Sequence, residues 1–512
     1  MSDSLFAKLR ERFPDDPERA LFAALEDDRY YRYQDLLDVS ARFANVLVEW
    51  GVRPGDRVAV QVEKSIENLM LYLASLRVGA VYLPLNTAYT PAEIAYFLGD
   101  AEPRVFLCDP SKAETFVPVA SDAGARLETM APWSMEADEL GTLLDAGEMA
   151  PTEFKDVSRT ADDLAAILYT SGTTGRSKGA MLTHGNLWSN AKALVEAWRF
   201  TPDDHLIHAL PVFHTHGLFV ATNCVLASGS TMHMLPKFDA RRIIELMGGE
   251  DGRRASVLMG VPTFYTRLLK EPDLAEAARG MRLFTSGSAP LLAETHRAFE
   301  TATGQRILER YGMTETNMNT SNPYDGERRA GTVGMPLPDV ELRIMADDGE
   351  VEEGEVGTIE VRGPNVFEGY WRMPEKTAEE LRPDGWFVTG DLGTRSPDGY
   401  VTIVGRGKDL VITGGFNVYP KEVESAIDEL NGVAESAVIG LPHDDFGEAV
   451  TAVVVAEGTG TDEQAILAAL GDRLAKYKQP KRVFVIDELP RNTMGKVQKN
   501  VLRERFADTY RA

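Results

Sequence analysis

The sequence predicts an α/β protein with a large N-terminal domain of helix-covered sheets, a β-rich subdomain, and a small mobile α+β C-terminal domain. Three observations predict it. Short β-rich apolar runs alternate with longer helical stretches through the first part of the chain, the rhythm of a parallel or mixed sheet covered by helices. After about Arg328 the texture shifts to shorter strands divided by Gly and Pro turns. From about Asp409 a compact unit of roughly 100 residues follows, within the usual size of one domain.

In chain order, "DRVAVQVE" reads as a buried strand, "SIENLMLYLASLRVG" as an amphipathic helix and "AVYLPL" as the next strand. "RVFLCD", "LAAILYT", "DHLIHALP", "SVLMGVP" and "MRLFTSG" extend the strand series. The acidic segment Met135 to Asp163 reads as a surface connection. The β-rich subdomain spans about 331–404, with "GTIEVRGPNVFEGYW" and "GWFVTGDLGTRSPDGYVTIVGR" as its strand-and-turn text. The last unit carries a helix "YPKEVESAIDEL", strands "ESAVIGLP" and "AVTAVVVAE", a helix "DEQAILAALGDRLAK" and a strand "RVFVIDELP". The expected division is 1–407 and 408–512.

Bulk composition narrows the function. A chain of 512 residues holds two or three domains, and its 44% hydrophobic and 26% charged content is that of a soluble globular protein. The formal charge of −25 disfavours nucleic acid and anionic membranes as partners, so any anion site must be built locally from glycines and a few cations. Cys108 and Cys224 sit in apolar runs without metal spacing and read as buried free thiols. No apolar run reaches membrane-spanning length, and the start, "MSDSLFAKLRERFPDDPERA", reads as a charged amphipathic segment rather than a secretory signal, so a cytoplasmic location is expected.

"LYTSGTTGRSKGAMLTH" is the strongest single segment. A strand ends at Tyr169; Thr170, Ser171, Gly172, Thr173, Thr174 and Gly175 follow, then Lys178, and Thr183 is placed to cap the helix after it. Small residues expose successive backbone N–H groups, hydroxyls add donors and Lys178 adds charge, a combination that can wrap a polyphosphate. The lysine is followed by Gly179, so the Walker A pattern is absent and kinase or GTPase chemistry is disfavoured. A second segment, "ILERYGMTETNM", raises a question of charge: Arg310 stands beside a tyrosine–glycine turn with a hydroxyl and a carboxylate, and needs an anion to meet.

"YTSGTTGRSKG" resembles the phosphate loop of the adenylate-forming acyl-CoA synthetase superfamily, with Ser177 where many relatives have proline. The resemblance recurs in order through "ALPVFHTHGL", "SGSAPL", "ERYGMTET", "GWFVTGDLG", "GRGKDLVITGGFNVYP" and "LPRNTMGKVQK". It implies joining a carboxylic acid to coenzyme A through an acyl-AMP, with ATP, Mg²⁺ and coenzyme A required. By resemblance, Glu315 is the Mg²⁺ ligand, Thr314 meets the α-phosphate and Tyr311 stacks on adenine. Ser286, Gly287, Ser288, Ala289 and Pro290 form the adenine edge, and Gly312 and Met313 complete the nucleotide loop with Arg310. Asp391 takes the ribose hydroxyls and Arg406 supports the ribose and phosphate side. Lys496 is the cation for adenylation, since carboxylate and phosphate repel as they meet. Lys408 is the hinge, and Gly414, Gly415 and Phe416 line the thiol channel.

Where family members with apolar substrates often have glycine, this chain has Arg310, which favours a second carboxylate gripped by two parallel hydrogen bonds. "FHTHGL" adds His216 two residues after His214; in a strand-like segment the two histidines share a face, with Thr215 between them. With Ser286 the pocket gains further donors, and Met313 limits the room beside the α-carbon. The expected substrates are therefore malonate, ATP and coenzyme A, with methylmalonate fitting less well. Alternatives are another short acid, or loading of a carrier protein. Lys496 in its flexible turn is also an expected target of a lysine acetyltransferase, because acetylation would remove the charge that adenylation needs.

Overall fold

The computed structural model describes the chain apart from residues 1, 19, 25–28, 133–139, 171–176, 250–253, 415, 444, 459–460, 472, 493–494 and 511–512, and the side chain of residue 24. Two large sheets form its body. The first runs Gly369–Tyr370, Lys178–Thr183, Leu164–Thr170, Val81–Pro84, Arg57–Gln61, Val105–Cys108, Arg126–Thr129. Its strands from Leu164–Thr170 onward pair in parallel, as the βαβ rhythm requires. The second runs Met335–Pro336, Asn317–Ser321, Leu308–Met313, Leu283–Ser286, Val257–Gly260, His205–His208, Thr231–Met234, Leu21–Ala24, Tyr30–Arg32. It is parallel from Leu308–Met313 to Leu21–Ala24 and closes at each end with antiparallel strands.

The helix Ile66–Val78 departs from the expected amphipathic pattern: all 13 of its residues are buried, which is how a helix enclosed by protein on all sides reads. Ser65 caps its start by accepting from the Asn68 N–H, and Gly79, at φ +76°, ends it in the left-handed region. Its buried charges are met internally: Tyr31 donates to Glu67 at 3.2 Å and Arg77 donates to Asp156 at 2.6 Å. The segment read as a surface connection contains a helix, Thr142–Met149, whose Leu143 and Leu144 bury against the rest of the domain. Its apolar pair supplies one turn of helical periodicity, too short to stand out in an acidic context.

An antiparallel five-stranded sheet follows: Gly349–Glu350, Glu341–Ala346, Gly357–Arg362, Phe387–Arg395, Val401–Arg406. The C-terminal sheet orders Phe416–Val418, Val411–Thr413, Gly447–Ala456, Val433–His443, with Arg482–Ile486 lying parallel to Gly447–Ala456. Separate apolar clusters, one around Val423, Ile427 and Ile466 and one around Ile439, Leu489 and Leu502, give this unit its own core. Cys108 and Cys224 are free and buried. Among the described residues no helix is long and apolar enough to cross a membrane.

Candidate active site

The parallel strands Val257–Gly260, Leu283–Ser286 and Leu308–Met313 end at one edge of the second sheet, the edge where α/β sheets gather ligands. Arg310 lies there, 3% exposed, with Nε and Nη2 buried and unpartnered. No carboxylate among the described residues pairs with it, and burial lowers its pKa to about 9. The guanidinium rests against Gly287: a Cβ on that glycine would come within 2.3 Å of Nη1. Further buried atoms are unpartnered: Nε2 of His214, Oγ1 of Thr215, Nε2 of His216, whose ring lies within reach of the Arg310 charge, and Oγ of Ser286. His216 Nδ1 lies 3.1 Å from Ser288 Oγ, and Ser288 sits at φ +69°.

The expected strand-like "HTH" is instead helical. Thr215 has φ −46° and ψ −47°, and His216–Thr222 forms a π-helix. Alternation over three residues imitates a strand, and tertiary packing overrides it. Both histidines stay neutral: burial and the Lys496 charge push His214 down to about 3, and burial with nearby Arg310 holds His216 well below the ordinary range.

At the expected phosphate loop, Lys178 opens the strand Lys178–Thr183, which forms a hairpin with Leu164–Thr170. The expected loop-to-helix step therefore contains an extra strand, and the helix His184–Ala197 begins behind it with a capping box. Thr183 accepts from the Asn186 N–H at 3.0 Å, and Asn186 Oδ1 accepts from the Thr183 N–H at 2.9 Å. Ser171, Gly172, Thr173, Thr174 and Gly175 lie outside the described residues; Thr170 and Lys178 flank them. Tyr96 donates to the Ser177 carbonyl at 2.8 Å, tying down the end of the loop. The Lys178 ammonium is 3.3 Å from Glu380 and 4.0 Å from the centroid of the Tyr370 ring.

Tyr370 contacts two carboxylates, Glu380 at 2.5 Å and Glu315 at 2.9 Å. Burial pushes Glu315 above the ordinary glutamate value. Glu380 is also affected by burial, but Tyr370, Lys376 and Lys178 outweigh it and the carboxyl is lowered.

Asp391 and Arg406 face each other across paired strands and join at 2.8 Å, and Tyr311 donates to Asp391 at 2.5 Å. The Asp391 charge, against burial, raises Arg406, while burial and Asp391 raise Tyr311. Thr314 and Met313 stand partly accessible at the turn after Gly312. A Cβ at Gly312 would fall 1.8 Å from the Asn317 carbonyl, so this glycine serves the turn's closure. Ala289 and Pro290 follow Ser288 toward the surface.

Lys496 is solvent-accessible yet ringed by protein. Burial and Arg406 lower its pKa, Asp391 and Glu315 oppose that, and Arg310 adds to it. The lysine thus lies in electrostatic reach of both ends of the cleft. Lys408 occupies the single turn Gly407–Asp409 between the five-stranded and C-terminal sheets, its pKa lowered to about 8 by burial and Arg406. Gly414, at φ +57°, donates to the Phe446 carbonyl at 2.9 Å, and Phe416 faces solvent, stacked on Tyr477 at 4.8 Å. Gly415 lies outside the described residues. Sequence reasoning missed Tyr370 and Glu380, because Glu380 meets Lys178 across 202 positions and no local pattern signals it.

Residues 8–371 match the AMP-binding enzyme family, and residues 422–496 match the AMP-binding enzyme C-terminal domain. The chain belongs to the AMP-binding enzyme family. Within it, the chain is similar from end to end to ATP-bound MatB from Rhodopseudomonas palustris, with 58% identity, a TM-score of 0.96 and 100% of both chains covered. Against apo MatB from the same organism the TM-score is 0.84, at the same 58% identity and with 100% of both chains covered. It is also 38% identical over 483 residues to a malonate–CoA ligase of Arabidopsis thaliana, covering 89% of this chain and 79% of that one.

Proposed function

We propose that this chain is an ATP-dependent malonate–CoA ligase that forms malonyl-CoA, AMP and pyrophosphate through malonyl-AMP. The observation that carries the reading is Arg310: a buried guanidinium with no counter-charge among the described residues. A monocarboxylic acid would leave it unpaired. A second carboxylate would satisfy it; the unpartnered atoms of His216, Thr215 and Ser286 are available as further donors, and Met313 is the residue expected to bound the α-carbon. The likeness to a malonate–CoA ligase and to MatB supports the same substrate.

In this reading the loop from Thr170 to Lys178 holds the phosphates, Tyr311 and Ser286 to Pro290 frame the adenine, and Asp391 with Arg406 takes the ribose. Lys496 stands between carboxylate and α-phosphate and stabilises charge as pyrophosphate leaves. Glu315 fits Mg²⁺. It is one buried carboxylate, with no cluster of three or more ligating side chains among the described residues, and Mg²⁺ commonly takes one or two carboxylates plus phosphate oxygens. The ion would neutralise phosphate charge. Rotation about Lys408 would then bring Gly414 to Phe416 to the thiol for the second half-reaction. The accessible Lys496 is also where a lysine acetyltransferase would switch adenylation off.

Pyrophosphate release with ATP, Mg²⁺ and equal malonate, methylmalonate, succinate, acetate, butyrate or benzoate, with and without coenzyme A, tests the reading. Strong coenzyme-A-dependent turnover with malonate and little with acetate or butyrate is expected. A preference for a monoacid would overturn it.

A further inference from the structure

We propose that Lys64 and His208 are a positioning pair that sets the acyl pocket by holding the carbonyl of Gly217, the residue after His216. The proposal rests on the malonate reading above. Lys64 follows the strand Arg57–Gln61 of the first sheet, but its amino group bonds to the second. It donates to His208 Nδ1 at 3.1 Å, to the His208 carbonyl at 2.7 Å and to the Leu235 carbonyl at 2.7 Å. Those carbonyls lie at the C-terminal ends of the neighbouring strands His205–His208 and Thr231–Met234. The amino group meets three acceptors, no carboxylate among the described residues pairs with it, and burial holds its pKa well below the ordinary lysine value. Holding a lysine this way costs desolvation that an apolar side chain would avoid.

The geometry passes from the lysine to the pocket in two steps. The Gly217 carbonyl can only accept, so His208 carries its proton on Nε2, and burial keeps the ring neutral, which leaves Nδ1 to accept from Lys64. Nε2–H then donates to the Gly217 carbonyl at 2.9 Å, with Thr222 Oγ1 at 3.2 Å, and the Thr222 hydroxyl donates to the same carbonyl at 3.0 Å. Gly217 is confined from another side as well: a Cβ there would fall 2.0 Å from the Pro211 carbonyl. Its carbonyl therefore has two side-chain donors in the first turn of a π-helix, a form that concentrates at functional sites. The preceding residue, His216, presents an unpartnered Nε2 in the pocket and keeps Nδ1 at Ser288. Releasing Gly217 would let His216 shift relative to Arg310.

Steady-state kinetics of the full chain test this, with Lys64→Met, Thr222→Val and His208→Gln. The malonate KM of Lys64→Met is expected to rise by about tenfold or more while the ATP KM stays within about twofold, because only the acyl end is displaced. Thr222→Val removes one of the two donors and leaves the lysine in place; it should move the malonate KM the same way by a smaller factor. His208→Gln, which can accept and donate at once, should recover most of the wild-type malonate KM. If Lys64→Met does not fold, the other two variants decide. Equal rises in both KM values, or an unchanged malonate KM in Thr222→Val, would overturn the proposal. Should the wild type favour another acid, the malonate reading falls and the same comparison is made on the KM for that acid.

Discussion

At the proposed acyl end of the cleft Arg310 keeps two nitrogens buried without partners, and His214, Thr215, His216 and Ser286 each bury an unpartnered polar atom. At the end proposed for the phosphates, three described charges already have partners: Lys178 with Glu380, Glu315 with the Tyr370 hydroxyl, and Asp391 with both Arg406 and Tyr311. The difference follows from ligand size. A small diacid brings few atoms, so the fold must carry the desolvation and ordering costs in advance. ATP brings many charged atoms and can exchange them for the protein's internal pairs. The acyl end waits; the phosphate end trades.

Lys496 joins the two ends, so its removal should have the largest effect. In Lys496→Ala, ATP–pyrophosphate exchange with malonate is expected to fall by roughly 10²–10³-fold, the scale for one transition-state donor. Reaction of preformed malonyl-AMP with coenzyme A should be nearly unchanged. Equal loss of both halves would make the lysine a structural prop.

Arg310→Met separates stability from activity. Losing a buried charge partner costs about 2–5 kcal/mol, so malonate kcat/KM should drop by roughly 30-fold to several thousandfold. The free protein should melt at a higher temperature, because an uncompensated buried charge has been removed. A lower melting temperature would show that the guanidinium is satisfied in the free protein, and the contrast between the ends would collapse. Gly287→Ala probes the same point more gently. The new Cβ presses on the guanidinium, which is the far end of a flexible side chain, so the protein should fold while the malonate KM rises about tenfold. An unchanged KM would mean that the arginine's position against Gly287 does not matter.

What could be read from the sequence follows the same division. The Thr183 cap was legible because its segment sets it locally; Arg310 stood out only as a charge beside a tyrosine–glycine turn, and the roles expected of Asp391, Arg406 and Glu315 came from resemblance to the family's motifs rather than from any local pattern. The π-helix was not legible, since "HTH" alternates like a strand until packing against Ser288 and His208 decides otherwise. Nor was the burial of Ile66–Val78, a property of what surrounds a helix rather than of its own pattern. Tyr370 and Glu380 reach the phosphate end only through the fold, from a helix and a two-residue strand far along the chain.

Glu380→Gln carries the smallest effect and tests whether the phosphate end trades. The Lys178–Glu380 pair is partly accessible and worth about 0–1 kcal/mol, so freeing the lysine should lower the ATP KM by up to about fivefold at neutral pH. The stability difference between wild type and variant has a definite pH course. The folded carboxyl of Glu380 is lowered, so the unfolded chain binds its proton first as pH falls. The wild-type advantage is therefore full above the ordinary glutamate value of about 4.3 and is lost as pH falls through the lower folded value. Melting temperatures of both proteins from pH 3 to 7 should converge at the acid end. If they converge while the ATP KM does not change, Glu380 keeps its hold on Lys178 when ATP is bound, and the phosphate end is as fixed as the acyl end.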